Sequence, residues 1–394
     1  MKILFVSAVL PYPLFSGGQI RIYNLLKRAA KHHDITLLAF IRKPEERKYL
    51  SSLDFLKVRT VYRGKRLDWP YVLKYITGKS LLLSSYENTE MRRLINQEIN
   101  AGTYDLVHLE PFYVIPSLPG IKIPLVVAEH NVEYRVYEEY AESFRFPPLI
   151  PFLKLEAGRI EQAEIAAVKK ADHVITVSRS DAEVLSRFIG KSKISVVPNG
   201  VDTDYFPYIK RSKTDKPVFL FVGNFYWLPN RELLHRLVRD IWPAIHAAVP
   251  RARLRIVGQS IPTDIKAVAE GNFEFAENIA DIRTEYAKAD VLLSPVSIAG
   301  GTKYKILEAM ASGLPVLTTP EGITGLDVRQ DEHVLVAGSA DEYPVIAKEL
   351  ITRPPKIGRI TENARRLVLS TYSWERIMES LDRAWQITYE KSKN

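Results

Sequence analysis

The sequence predicts an α/β protein with two domains. Eleven short apolar runs rich in Val and Ile alternate with longer segments of helical pattern, and such runs are typical of parallel strands buried on both faces. The chain has 394 residues, enough for two domains of roughly 150–200 residues each. Residues 203–217 contain two prolines and little apolar periodicity, and this linker candidate divides the chain near its middle.

Six of the predicted strands lie before this linker and five after it. They are 3–9, 35–41, 106–109, 125–128, 174–177 and 194–197, then 218–222, 254–257, 291–294, 316–318 and 334–336. The last helix is predicted after Ser373, a plausible N-cap, because apolar residues from Trp374 to Trp385 recur at helical spacing. A terminal helix with two tryptophans on one face must pack on something large.

Composition excludes several classes of protein. With 46% hydrophobic and 26% charged residues, the chain reads as an ordinary soluble protein. It has no cysteine, which excludes disulfides, a thiolate nucleophile and cysteine-based zinc sites. No apolar run approaches the ~18 residues that span a bilayer, and the N-terminus lacks a small-residue cleavage site. We therefore expect a cytoplasmic location.

Basic residues outnumber acidic ones by 55 to 46, which favours anionic partners. Nine of the basic residues fall within 57–93, interleaved with aromatic side chains, and the apolar segment 143–153 follows later. Together they predict contact with an anionic membrane surface, on the inner face of the plasma membrane, and favour a lipid-linked or cell-envelope acceptor. The alternative interpretation of 57–93 is a solvated helical face over ordinary core residues.

The segment 289–313 carries the most chemistry. A buried strand is followed by a Gly-rich loop and a helix from about Lys303, so backbone N–H groups and the helix dipole favour an anion there. Lys303 and Lys305 add positive charge, and Glu308 lies where it could accept hydrogen bonds from a ribose diol. The alternative is a tight turn with solvated lysines. The predicted phosphate loop consists of Gly300, Gly301 and Thr302.

Other strand ends carry weaker signals. Gly223, with Asn224 after it, and Gly258 each end a predicted strand, as in sheets whose carboxyl ends form a ligand crevice, although such glycines are more often turns. The pair His130 and Asn131 follows another strand and is well placed to meet substrate, although a lone histidine is more often structural.

Two familiar nucleotide motifs and a metal site are disfavoured. The pair Gly17 and Gly18 is not GxGxxG, and no acidic residue closes the second strand, so hydride chemistry is disfavoured. No GxxxxGK[ST] occurs. Asp202 and Asp204 could hold Mg²⁺ against a diphosphate, but they precede a linker, so we expect no metal site.

Several motifs, in order along nearly the whole chain, resemble the GT-B glycosyltransferases of family 4. They are GG at 17–18, EHN at 129–131, VVPNGVDTDYF at 196–206, FVGNFYWLPN at 221–230, RLRIVGQ at 253–259, GGTKYKILEAMASGLPVLTT at 300–319 and the terminal YSWERI. The resemblance implies two Rossmann-like domains facing a central cleft. It assigns 1–205 to an acceptor domain and 206–372 to a nucleotide-sugar domain, with the C-terminal helix 373–390 crossing back to the first.

Site residues follow from the resemblance by position. Glu308 matches the family's ribose-binding Glu, Gly301 and Thr302 match the diphosphate loop, and Ile279 matches a position whose backbone reads the base. His130 matches the histidine near the transferred sugar, and Gly18 the turn that closes over it. On the donor side we also place Gly223, Asn224, Gly258, Gly300, Lys303, Lys305 and Ile306. On the acceptor side we place Gly17, Arg21 and Asn131.

The sequence departs from the family pattern at two places. Gly300 stands where the family commonly has a Glu that contacts the sugar, and Asn224 and Pro229 replace the usual Arg and Lys on the diphosphate. We therefore expect Lys305 to supply the missing charge, in a subgroup whose donor motif is GGT-basic-x-K. Lys303 cannot face the same phosphate on a regular helix. His130, Lys305 and Glu308 are the expected catalytic residues.

The resemblance implies a retaining hexosyltransferase that moves a sugar from a UDP-, GDP- or other nucleotide sugar to an acceptor hydroxyl of a saccharide or lipid-linked acceptor. This reaction would serve cell-envelope polysaccharide or glycolipid synthesis, and we expect no cofactor, metal or nucleic acid to be needed. Two alternatives remain at this point. One is a GT-B relative with other chemistry, such as a sugar-nucleotide epimerase or a phosphorylase. The other is a basic membrane-binding or nucleic-acid-binding protein without catalysis.

Overall fold

The computed structural model describes residues 1–64, 74–144, 146–211, 214–226, 228–268, 271–296 and 303–393. They form two compact units, the first comprising Met1–Pro198 with Trp374–Asn394 and the second comprising Asn199–Ser373. Each unit is a parallel sheet with helices, so the α/β prediction is confirmed.

The first unit contains a seven-stranded parallel sheet of order β3-β2-β1-β4-β5-β6-β7. Its strands are β1 (Lys2–Ser7), β2 (Asp34–Ile41), β3 (Lys57–Tyr62), β4 (Leu106–Glu110), β5 (Leu125–Glu129), β6 (His173–Thr176) and β7 (Ile194–Val196). Its α-helices are α1 (Gly17–Ala29), α2 (Leu81–Ser84), α3 (Thr89–Ala101), α4 (Glu133–Ser143), α5 (Ile150–Lys170) and α6 (Arg179–Leu185).

The second unit contains a six-stranded parallel sheet of order β10-β9-β8-β11-β12-β13. Its strands are β8 (Val218–Asn224), β9 (Arg253–Gln259), β10 (Phe273–Glu277), β11 (Val291–Ser294), β12 (Val316–Thr318) and β13 (Leu335–Val336). Its α-helices are α7 (Leu228–Arg236), α8 (Trp242–Ala248), α9 (Thr263–Val268), α10 (Arg283–Lys288), α11 (Tyr304–Ala311), α12 (Pro320–Ile323), α13 (Glu342–Thr352) and α14 (Pro354–Leu367).

The C-terminal helix α15 (Trp374–Lys391) belongs to the first unit and packs against α1 and strands β4 to β7. Its apolar face is buried there, including Trp374 and Trp385. The apolar residues that recur at helical spacing in the sequence therefore form the contact face of this helix. No helix among the described residues combines the length and apolar character needed to span a bilayer.

The boundary between the units differs from the expected one. Residues 199–205, which the sequence assigned to the first domain, lie in the second unit. Hydrogen bonds and a β-bridge hold them there, because Val201 pairs with Ser373 and donates its N–H to the Tyr372 carbonyl at 2.8 Å. Arg365 also donates to the Thr203 carbonyl at 3.2 Å.

In each sheet the strand order reverses once, between β1 and β4 in the first and between β8 and β11 in the second. In open α/β sheets, ligands bind outside the carboxyl ends of the strands at such a reversal. The residues that end β4 and β8 are Glu110 and Asn224. A site is therefore expected at the carboxyl edge of each sheet.

Candidate active site

A buried carboxylate organises the carboxyl edge of the first sheet. Glu110 is fully buried at the end of β4. Its Oε1 accepts hydrogen bonds from Arg21 Nε and from His130 Nε2, both at 2.8 Å, and its Oε2 lies 3.0 Å from His108 Nε2. Burial alone would raise the pKa of Glu110, but Arg21 and the two histidines outweigh it and hold this pKa well below its usual range. Glu110 is therefore an ionised, triply hydrogen-bonded carboxylate.

These contacts fix the protons on both histidines. The Trp385 indole nitrogen can only donate, and it donates to His108 Nδ1 at 3.0 Å. Burial lowers the pKa of His108, so its ring is neutral and carries its proton on Nε2, which donates to Glu110. Because the Glu110 carboxylate has no proton to give, His130 Nε2 must also be a donor. The other ring nitrogen of His130, Nδ1, makes no hydrogen bond among the described residues and can face a ligand.

The structure brings Gly18 together with His130. A side chain at Gly18 would place its Cβ 3.4 Å from both Nδ1 and Cε1 of His130, so the start of α1 lies directly beside the ring. The His130 side chain is 16% exposed, which leaves part of the ring accessible. Gly17 opens the same helix, whose N-cap is Ser16, and Asn131 is half-buried after His130.

Arg21 is placed differently from the acceptor-side expectation. Its guanidinium is 2% exposed and bonds Glu110 and the Pro198 carbonyl oxygen, the latter at 2.9 Å. A guanidinium enclosed in this way cannot reach an acceptor from solvent. Arg21 instead neutralises Glu110, and Glu110 in turn holds His130.

Two further buried carboxyl groups flank β5 and differ from Glu110 in charge. Burial raises the pKa of Glu164 to about 8, although the backbone N–H groups of Tyr134 and Glu133 donate to it. Burial also raises the pKa of Glu129 well above its usual range, and the nearby acids Glu164, Glu133 and Asp181 raise it further. Within the described residues Oε1 of Glu129 has no hydrogen-bond partner. Near neutral pH Glu164 is therefore largely protonated and the pKa of Glu129 is shifted in the same direction, whereas Glu110 is ionised.

In the second unit, Lys305 occupies the carboxyl edge of the sheet. It lies on the first turn of α11, its Nζ donates to the Val222 carbonyl of β8 at 2.8 Å, and it lies over the Phe221 ring at 5.5 Å. Burial lowers the pKa of Lys305 to about 8, against the opposing effect of Glu308. An anion bound beside Lys305 would favour the charged form of its amine and raise this pKa again.

Glu308 lies one turn further along α11 and is held by a tyrosine. The Tyr286 hydroxyl, from α10, donates to Glu308 Oε2 at 2.7 Å. Burial raises the pKa of Glu308, although Tyr286 and Lys305 oppose the shift. Tyr286 thus fixes Oε2, whereas Oε1 makes no hydrogen bond among the described residues and can accept one from a ligand hydroxyl. Tyr286 could not be identified from the sequence, because the contact joins residues 22 positions apart.

The strand-end glycines have a structural explanation. A side chain at Gly258 would place its Cβ 1.8 Å from the Gly223 carbonyl oxygen, so the pairing of β8 with β9 requires glycine there. A Cβ at Gly223 would meet the Phe225 ring at 2.9 Å. Asn224 turns back on its own loop, since its side-chain oxygen accepts from Tyr226 N at 3.1 Å. Their binding role remains a prediction.

Three further residues predicted on the donor side lie among the described residues, and three lie outside them. Ile279 is half-buried after Asn278, which has a positive φ of 54°. Ile306 is fully buried in the core beneath α11, and its N–H donates to the Lys303 carbonyl, so its side chain packs and does not face a ligand. Lys303 is buried immediately before α11. Gly300, Gly301 and Thr302 lie outside the described residues.

Among the described residues no group of three His, Asp or Glu side chains is arranged to hold a metal ion. Of the pair Asp202 and Asp204, the carboxylate of Asp202 serves the backbone, because its Oδ1 accepts N–H bonds from Asp204 at 3.2 Å and Tyr205 at 2.8 Å. That is the geometry of a turn.

Comparison with known proteins places this arrangement in a family. The family model described as Glycosyltransferase Family 4 matches residues 15–205, and the one described as Glycosyl transferases group 1 matches residues 216–352. Among curated proteins, the chain is 22% identical over 399 residues to an uncharacterized 44.6 kDa protein in the cps region of Klebsiella pneumoniae, covering 96% of this chain and 98% of that protein.

Solved structures of the same fold cover the whole chain. HepE (Alr3699) of Anabaena, solved in complex with UDP-glucose, superposes with a TM-score of 0.65 at 17% identity and covers 100% of both chains. WaaG, a glycosyltransferase involved in lipopolysaccharide biosynthesis, superposes with a TM-score of 0.65 at 16% identity and covers 97% of this chain and 99% of that one. The two parallel sheets therefore form the GT-B fold.

Proposed function

The chain belongs to glycosyltransferase family 4, and we propose that it is a retaining hexosyltransferase that uses a nucleotide diphosphate sugar. The observation that carries this proposal is the pair Lys305 and Glu308 at the carboxyl edge of the second sheet. A diphosphate beside Lys305 and a ribose diol on Glu308 would satisfy both groups. HepE, a protein of the same fold, binds UDP-glucose.

The reaction follows from where charge develops. The bond between the anomeric carbon and the phosphate oxygen breaks, and its electron pair goes to the diphosphate. Lys305 stabilises this leaving group, and a fixed donor of this kind contributes about 3–4 kcal/mol. The acceptor oxygen then bonds the same face of the anomeric carbon, and its proton passes to the leaving phosphate oxygen. No protein base is required in this scheme.

We assign His130 to the transferred sugar and Glu110 to His130. Glu110 holds the His130 Nε2 proton, so Nδ1 can accept a hydrogen bond from a sugar hydroxyl. Arg21 and His108, the latter held by Trp385, keep the Glu110 carboxylate in place. Glu110 is thus a positioning residue, and His130 is the group that touches substrate.

A thermal-shift panel of UDP, GDP, ADP and their common sugars, with and without Mg²⁺, tests the donor assignment. A ligand at 100 times its dissociation constant adds about 2.7 kcal/mol to the free energy of unfolding. We expect a clear rise in melting temperature with one base and no dependence on Mg²⁺. No shift with any nucleotide would contradict a donor site. The first-formed anomer of the sugar released without acceptor, read by NMR, tests retention.

Tyr286→Phe should weaken donor binding modestly. Removing one hydrogen bond to a buried carboxylate costs about 1 kcal/mol, so we expect roughly three- to tenfold lower affinity for the nucleotide sugar. Isothermal titration calorimetry measures this directly. Tyr343→Phe, at another buried tyrosine of the same unit, is the matched control and should leave affinity unchanged. If Tyr286→Phe binds the nucleotide sugar as tightly as the native protein, the proposed contact between Glu308 and the ribose would be contradicted.

The acceptor is proposed to belong to cell-envelope polysaccharide or glycolipid synthesis. WaaG acts in lipopolysaccharide biosynthesis, and an apolar surface on this chain suits a peripheral position at the inner face of the plasma membrane. Exposed apolar side chains cluster in the predicted segment 143–153, including Phe146, Leu149 and Phe152. The described part of 57–93 contributes less free charge than expected, because Glu98 pairs with Lys57 and Arg59.

A further inference from the structure

One outer face of helix α5 combines apolar and cationic side chains. Exposed Phe152 and Leu155, on its first turns, are followed at helical spacing by Arg159, Gln162 and Lys170. Residues three, four or eight apart share a helix face, so these side chains form one stripe. Phe152 is 42% exposed and Leu155 is 50% exposed, which is unusual for adjacent large apolar residues.

The cationic end of this stripe borders a groove of about 570 Å³. Lys79, Arg159 and Lys170 line it, with Glu87 as the acidic residue in its wall. Lys74 and Lys79 share Glu87, at 3.2 and 3.0 Å, so one carboxylate serves two lysines. Lys170 has no ion pair or hydrogen bond within the described part of the chain. The groove therefore carries net positive charge.

Arg159 is held by backbone carbonyl groups and forms no ion pair with a carboxylate among the described residues. Its Nη1 donates to the Tyr75 carbonyl at 2.8 Å and the Lys79 carbonyl at 3.3 Å, and its guanidinium stacks on the Tyr75 ring at 4.3 Å. The same ring contacts Phe152 at 4.8 Å between centroids. One tyrosine thus joins the apolar end of the stripe to the cationic groove.

A buried hydroxyl in the groove has no partner. Ser84, at the end of α2, is 2% exposed and lines the groove, and its Oγ makes no hydrogen bond among the described residues. A buried unpaired hydroxyl costs about 1–3 kcal/mol, so such groups normally have a partner. Ser84 Oγ is therefore a donor suited to an anionic oxygen.

We propose that this face binds an anionic phospholipid of a bilayer. The lipid phosphate occupies the groove near Arg159, Lys79 and Ser84, and Phe152 and Leu155 enter the acyl boundary. Charge complementarity selects the occupant, because a cationic groove beside exposed apolar side chains matches a phosphate beside acyl chains. The inference deepens the proposed function, on which it rests for the membrane that carries the acceptor.

Co-sedimentation of the full chain with vesicles tests the inference. We expect binding to phosphatidylcholine vesicles that contain phosphatidylglycerol, weaker binding at high salt, and little binding to phosphatidylcholine alone. The double variant Leu155→Ser/Lys170→Glu should lower the partition coefficient at least about tenfold, because each cation near an anionic surface contributes about 1 kcal/mol. Both positions are exposed, so the fold should be retained.

Val345→Ser/Lys348→Glu is the matched control. It makes the same kind of change, one apolar residue to Ser and one Lys to Glu, at two exposed positions of helix α13 in the second unit. Its partition should equal that of the native protein. Equal partition of the two double variants, or no binding to anionic vesicles, would overturn the proposal. Thermal stabilisation by inorganic phosphate without vesicle binding would assign a free-phosphate site instead and would equally overturn it.

Nucleotide-induced thermal shifts of the same preparations separate this inference from the proposed function. A protein that sediments with anionic vesicles but binds no nucleotide sugar contradicts the donor site and supports the lipid face. A protein that binds nucleotide sugar but no anionic vesicle supports the donor site and contradicts the lipid-binding face. Both double variants should keep the native nucleotide shift.

Discussion

Replacing Glu110 by glutamine should lower kcat about 100- to 1,000-fold and leave affinity for the nucleotide within about threefold. The neutral amide cannot accept all three donors that meet at the carboxylate, so His130 loses its fixed orientation and tautomer. The side chain of Glu110 belongs to the first unit and the predicted nucleotide site to the second, so nucleotide binding should persist. Steady-state kinetics together with calorimetry measure both quantities.

The same substitution should lower the free energy of unfolding by about 3–5 kcal/mol, because Arg21 would remain buried without its counter-ion. Glu164→Gln is the control. Glu164 is buried like Glu110, but its pKa of about 8 leaves it mostly neutral at pH 7, so glutamine removes little charge there. We expect that variant to keep native kcat.

A double-mutant cycle distinguishes positioning from a general structural effect. If Glu110 acts through His130, adding Glu110→Gln to His130→Ala should change kcat by less than about threefold, although each single change is large. Additive losses in the double variant would show that Glu110 acts on the reaction by another route, and would contradict its role as the residue that positions His130.

The sequence predicted the buried strands better than the edge strands. All eleven apolar runs are strands, because a parallel strand covered on both faces must be apolar throughout. The two strands that were missed, β3 and β10, are edge strands, whereas the opposite edges, β7 and β13, were predicted. In β3, Lys57 and Arg59 alternate with apolar residues, and in β10, Glu274 separates Phe273 from Phe275. β3 and β10 are partly solvated, so they lack the continuous apolar run that revealed the other strands.

The candidate site was predictable only where its residues adjoin a local motif. His130, Lys305 and Glu308 each follow a strand end or a Gly-rich loop, and their positions could be read from the sequence. Glu110 could not be assigned, because its partner Arg21 is 89 residues away. A signal was present, since β4 places a histidine and a glutamate inside an apolar strand. Trp385 meets His108 across 277 residues, a contact that only the fold reveals.

The largest effect on the donor side is expected from Lys305→Met, which keeps the length of the side chain and removes its charge. We expect kcat to fall about 100-fold, because a preorganised donor to a developing anion is worth 10²- to 10³-fold in rate. Affinity for the nucleotide sugar should fall about tenfold. Lys288→Met is the control, because that lysine side chain is 63% exposed and has only a weak ion pair with Glu285, at 3.5 Å.

The pH dependence of donor binding gives an independent test of Lys305. Its pKa of about 8 means that the free protein loses this charge as the pH rises through 8, whereas the bound diphosphate favours the protonated form. Native affinity should therefore be constant below about pH 7 and fall by up to about tenfold per pH unit above 8, until the pKa of the bound state is reached. In Lys305→Met the affinity should not vary over this range, because the titrating group is gone.

A native affinity that stays constant through pH 9 would mean that binding of the diphosphate does not depend on Lys305. The negative charge of the leaving diphosphate would then have to be stabilised by donors other than Lys305.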